Sequence, residues 1–389
     1  MSVFIQDGRR GGHLSWARQA LTAGIASGVI ISPFHTPRIQ VPRHRSGIAV
    51  ASAVAEAGGE AVFDATTHAL RLRGTDDLAH YDTWQLWGPS GIGLDTDTRR
   101  LEHLERVFDR QDELSVPTLA PTAPLDTPNG VAAADAFRTA ELSKGLRPSC
   151  WQSLAGSRSF WRSGLDLDAY VGRLSSLRAP VWVLTVVNDV VVDNIPDLAD
   201  IDAFAGLLRT VHSLSQRSRV VVCHADLAGL PAVAAGASDL GGGWDRGMRF
   251  FDRESFRITS SGPRIPASLV TQGGLGAVLR RDTGDAITRV LGEPAASLLR
   301  GGPMPVDDAA ERSHHLRQLN YLVSRVDGHG MNRTGRVTEL RNFYENGLTT
   351  IDALSPRLPR PTLPPTLRAR WLEHPHACLE AYAVAEGLW

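Results

Sequence analysis

Lysine is nearly absent from this 389-residue chain: of its 41 basic residues, only Lys144 is a lysine. Chemistry that needs a Schiff-base lysine, with or without pyridoxal phosphate, or a P-loop lysine on phosphate, would have to use that residue. Lys144 sits in the polar stretch Glu141-Leu142-Ser143-Lys144-Gly145, so neither is expected. Cysteine is scarce as well. Cys150, Cys223 and Cys378 lie far apart and form no C-x-x-C pair, which points away from a disulfide framework and from a cysteine zinc site.

Charge of one sign is also lacking. The 41 basic and 42 acidic residues leave a net charge of -1, so no overall field would draw the protein to nucleic acid or to an anionic membrane. No run of about 18 apolar residues offers a membrane span, and Met1 to Asp7 lacks the regions of a signal peptide. The expectation is a cytoplasmic protein with no membrane contact; its oligomeric state is not legible. Two catalytic signatures, H-E-x-x-H and an H-x-H pair after the first strand, do not occur. Gly8-Arg9-Arg10-Gly11-Gly12 does not supply the G-x-G-x-x-G of a dinucleotide fold either.

What is present is a 42% hydrophobic chain long enough to bury a large core. Seven short apolar runs read as buried strands: Val3 to Asp7, Gly28 to Phe34, Ala61 to Asp64, Val116 to Thr122, Pro180 to Asp189, Arg219 to Asp226, and a last one ending in Gly241-Gly242-Gly243. Helical periodicity separates them, as in Ile201, Phe204, Leu207, Leu208 and Val211, and no hairpin signal joins neighbours. Such alternation predicts a parallel sheet, either an open doubly wound one or a closed (β/α)8 barrel of the TIM type. The barrel is the expectation, with long insertions after strand three (about 70–114) and after strand four. Met248 to Asp252 and Ala267 to Thr271 are the two weak candidates for its eighth strand. The barrel would span residues 1–255, followed over 256–389 by a mainly helical extension with a Pro-rich connector at 356–365.

In a barrel the active site lies at the carboxyl ends of the strands, and acids or histidines end most of these strands. Asp7, Asp64, His224, Asp226 and Asp239 are the candidate catalytic residues. His35, His68, Asn188, Gly241, Gly242, Gly243, Trp244 and Arg246 are the candidate substrate-binding residues. His224-x-Asp226 would share one side of a strand, as an acid/base pair, as two metal ligands, or as a hydrogen-bonded pair that simply ends the strand. The three glycines read as a loop at the exit of strand seven. Bare backbone N–H groups there, with Arg246 and Arg249 nearby, would suit an anion; a tight turn needing positive φ is the plainer alternative. Tyr81, Trp84 and Trp87 would either close over a planar substrate or pack the first insertion.

The leading expectation is thus a barrel enzyme with Asp/His acid–base chemistry, compatible with a divalent metal, acting on a small anionic or phosphorylated substrate. One alternative is a nucleic-acid base-exchange or glycosyl-transfer enzyme, similar to tRNA-guanine transglycosylases by fold analogy alone, which the net charge does not favour. The other is a catalytically inert binding or scaffold barrel, which the Pro-rich connector would suit.

Overall fold

The computed structural model describes residues 1–7, 12–32, 46–66, 95–188, 191–192, 195–196, 198–252, 268–328, 330–359 and 365–388. Eight parallel strands form one curled sheet: β1 (Ser2–Gln6), β2 (Gly28–Ile31), β3 (Glu60–Phe63), β4 (Pro124–Leu125), β5 (Gln152–Ser157), β6 (Val181–Val187), β7 (Arg219–Cys223) and β8 (Asp239–Gly243). Their order is β3-β2-β1-β8-β7-β6-β5-β4. First and last strands are partners, with Ser2 opposite Asp239 and Gln6 opposite Gly243. This is the cyclic order of an eightfold barrel opened at one seam, between β3 and β4.

The sheet is therefore a half-barrel and not the closed TIM barrel that the alternation predicts. A physical cause lies in the stretch from Val116 to Leu125, where Pro117, Pro121 and Pro124 have no N–H to donate to a ladder. Only Leu119 bridges to Trp151, and only Pro124–Leu125 pairs with β5. Across the seam a side chain takes the place of strand pairing. The Gln111 amide, fully buried, donates to the carbonyls of Phe63 (3.1 Å) and Leu119 (2.9 Å), and its oxygen accepts the Leu119 N–H (3.0 Å).

The count of eight is completed in an unexpected place. The stretch expected to be an insertion after strand four contains a helix (Val131–Leu146) and then β5 itself, so it is an ordinary repeat of the sheet. Of the two candidates for an eighth strand, Met248 to Asp252 contributes one bridge, Phe251 to Val187. Leu269–Gln272, here β9, lies outside the sheet in an antiparallel ribbon with β10 (Ala277–Arg280). Much of the first expected insertion lies outside the described residues; its last part is the helix Asp97–Glu113, capped by Thr96 Oγ1 on the Arg99 N–H.

Alternation along the strands builds two cores. Phe4, Ile30, Val62, Leu119, Trp151, Val181, Val183, Val221 and Cys223 fill the inside of the curl, while the opposite faces pack on helices. These helices include α1 (His13–Thr22) and, after β7, α2 (Leu230–Ala235). The long helix α3 (Asp308–Asp327) packs against β1, α2 and β9. Its Leu316, Leu319, Leu322, Val323 and Val326 join the same core as the residues on the outer face of the sheet. Asp307 starts this helix by accepting the Ala310 N–H at 2.7 Å.

Candidate functional site

Parallel strands give the sheet two unlike edges. Asp239 is the first residue of β8, so it belongs to the amino edge, away from the mouth where the barrel expectation put it. There it forms a partly buried network with Arg219 (Nε to Oδ2, 2.6 Å) and the Ser2 hydroxyl, and Arg219 reaches on to Glu60 at 2.7 Å. The Arg219 guanidinium also covers the rings of Phe4 (5.4 Å) and Trp151 (5.7 Å).

Gly241, Gly242 and Gly243 are likewise displaced from the expected loop: they are strand residues of β8, buried and without positive φ. Neighbours occupy the space that their side chains would take. A Cβ on Gly241 would stand 2.7 Å from Gln6 Nε2, one on Gly242 2.7 Å from Leu319 Cδ2, and one on Gly243 2.6 Å from both Asp245 O and Met248 Cβ. Close packing accounts for the three glycines, on both faces of the strand.

At the carboxyl edge several of the expected residues do gather. Asp7, after β1, holds His13 at the start of α1, with Nδ1 2.5 Å from Oδ1 and both side chains buried. After β3, Asp64 turns back to accept the Thr66 N–H at 2.7 Å. After β7, both His224 and Asp226 adopt left-handed backbone, with φ of 52° and 48°. Five non-glycine residues among those described have positive φ. Ser115 and Arg178 follow helix C-caps, where that conformation is ordinary. Thr66, His224 and Asp226 remain, all at this edge, and such strain costs on the order of 1–3 kcal/mol each.

Because β7 ends at Cys223, His224 and Asp226 are not on one strand face, and they take different partners. The His224 Nδ1 lies 2.9 Å from the Met248 carbonyl, and its ring tilts against Phe251. Asp226 accepts from His315 of α3 (Nε2 to Oδ2, 2.9 Å) and from the Leu227 N–H (2.7 Å). On its far side His315 Nδ1 lies 2.7 Å from the Thr271 hydroxyl. Burial and then the neighbouring Arg249 charge push the His315 pKa down, against the pull of Asp226. Burial works against an ionised Asp226, but His315 and then Arg249 hold its carboxyl below the usual range.

Arg249 completes this group. Its Nε donates to the Gly243 carbonyl (3.1 Å) and stands 3.7 Å from Asp226, whereas its Nη atoms donate no hydrogen bond among the described residues. Burial, with repulsion from Arg246 and Arg312, brings its pKa down to about 10. Arg246 leans on Glu311 of α3 at 3.4 Å. Trp244 meets Trp16 with tilted rings (centroids 3.8 Å apart), and the Arg312 guanidinium lies over its ring at 5.2 Å. Asn188 ties the end of β6 to the Phe251 carbonyl through both its backbone N–H (2.9 Å) and its amide (3.1 Å).

His35 and His68 lie outside the described residues, as do Tyr81, Trp84 and Trp87. Among the described residues no three or more metal-ligating side chains come together, so Asp7, Asp64, His224 and Asp226 do not form a donor set for a divalent ion. No helix among them is long and apolar enough to cross a membrane. Sequence reasoning missed His13, His315 and Thr271. His13 carried a signal, a histidine six residues after a strand-ending acid; His315 lies 89 residues from its partner and carried none. No protein-family model matches the chain, and a search of curated proteins finds no match either.

Proposed function

We propose that the carboxyl edge of the half-barrel is the active site of an enzyme that uses carboxylate–histidine acid–base chemistry on a small anionic substrate. The observation that carries this reading is a convergence on three adjacent strands. Asp7–His13 follows β1, Arg249 is hung on the last residue of β8, and Asp226–His315 follows β7. Each pair fixes a ring tautomer and keeps a proton donor and acceptor in a dry setting, as proton transfer requires. The planar guanidinium of Arg249, with two Nη atoms side by side, suits a carboxylate or phosphate oxygen pair. An ionised Asp226 would be the base, and Asp64, more open than the others, would meet the polar part of the substrate.

A second reading, an inert barrel, has one observation in its favour. Thr271 and His315 are both buried, so the same contacts also pin α3 and β9 to the sheet. Turnover decides between the two. The full chain is incubated with a library of small phosphorylated and carboxylated compounds, and conversion is followed by mass spectrometry. Conversion of at least one compound, reduced about 100-fold or more in Asp226→Asn and Asp7→Asn, is the expected result. No conversion, or equal conversion by folded variants, would refute the enzyme reading.

A further inference from the structure

Among the described residues, three buried polar atoms at the carboxyl edge have no strong hydrogen-bond partner: Nε2 of Gln6, Oγ of Ser32 and Oγ of Ser157. They come from β1, from the residue after β2, and from the end of β5. Alternation within the strands turns Gln6 and Ser157 to the inside of the curl: Gln6 is two residues beyond Phe4, and Ser157 pairs with Val187, four beyond Val183. Ser32 directly follows the last residue of β2. The ring is completed by Asp64, whose charge reaches Cys223, and by Gly241, which leaves the Gln6 amide its space. The Gln6 amide stands beside the Cys223 thiol, a weak acceptor. Below them Phe4, Ile30, Val62, Trp151 and Val183 form an apolar floor.

An unpaired buried polar group destabilises a free protein, and three at one edge of the sheet call for a common cause. One amide and two hydroxyls can both donate and accept, and a single carboxylate accepts. These groups complement an uncharged molecule with several hydroxyls. We propose that the inner face at the carboxyl edge binds a polyhydroxylated, uncharged group of the sugar type, held by Gln6, Ser32, Ser157 and Asp64. The site does not depend on the acid–base reading, because a protein that only binds would carry it too.

The test uses the full chain and three probes, D-ribose, D-glucose and myo-inositol, in saturation-transfer NMR. At least one probe binds saturably, and Gln6→Leu and Ser157→Ala each weaken it about tenfold, the effect of one lost hydrogen bond. In the free protein the same two substitutions leave Tm unchanged or raise it by roughly 1–2 °C, because they remove unpaired polar groups. No saturable binding, or binding untouched by both substitutions, overturns the proposal. So does a Tm loss above about 2 °C in both variants, which would show that water already pairs these groups. Sugar binding without any turnover would uphold this site and remove the catalytic reading; turnover without sugar binding would do the reverse.

Discussion

Replacing Gln111 by leucine removes the side chain that spans the open seam, and the structure says what this should cost. Three hydrogen bonds disappear together, and the Phe63 carbonyl, the Leu119 carbonyl and the Leu119 N–H lose a fully buried partner. An orphaned buried group costs about 1–3 kcal/mol, and partial relaxation of the Pro-rich edge would bring the total to about 4 kcal/mol. For a chain of this size the unfolding entropy is about 0.8 kcal/mol per degree, so Tm should fall by about 5 °C. Scanning calorimetry measures the loss, and hydrogen exchange at the Leu119 amide locates it. Gln111→Glu should be worse near neutral pH, since it loses both donations and buries a charge. A Gln111→Leu protein within about 1 °C of wild type, with the Leu119 amide still protected, would mean that the seam is held in some other way.

Three further predictions follow from single contacts. His315→Ala leaves the Asp226 charge buried without its histidine partner and with Arg249 at 3.7 Å, and should destabilise by about 3–5 kcal/mol in urea unfolding; a change below about 1 kcal/mol would deny the pair its role in holding α3. His103 is fully buried with both ring nitrogens unpaired, and burial, helped by Arg106, pushes its pKa down to about 3. The unfolded chain therefore takes up the proton first, so stability is complete above about pH 6.5 and falls by about 1.4 kcal/mol per pH unit below it; His103→Leu should flatten that slope by about that amount, and an unchanged slope would refute the assignment. Gly242→Ala drives a Cβ to 2.7 Å from Leu319 Cδ2 and should cost about 1–3 kcal/mol, with Leu319→Ala restoring part of it in the double variant; additive losses would disprove the clash.

Local chemistry decided how much of this architecture could be read beforehand. Val181–Val187 and Arg219–Cys223 are continuous apolar, β-branched runs, and a parallel α/β sheet follows from them directly. Gln152-Ser153-Leu154-Ala155-Gly156-Ser157 is equally a central strand, but it has no β-branched residue, and its pairing with β6 is visible only in three dimensions. Three consecutive glycines suggested a loop because glycine weakens an isolated strand. In β8 their bareness lets Gln6, Leu319 and Met248 approach, which no local pattern announces. Asp226 was marked by its place at a strand end, whereas its partner His315 is one of the inward residues of a helix far along the chain. Asp239 reads as a rim acid because no local signal marks it as the residue that opens its strand.

The claim that the carboxyl edge holds an anion next to Asp226 rests most directly on Arg249, and one titration addresses it. Inorganic phosphate is titrated calorimetrically into the full chain and into Arg249→Met, a variant in which Asp226 keeps His315. The account predicts saturable binding at one site in the wild type and none in the variant. Equal binding by both proteins, or no binding by the wild type, would contradict it.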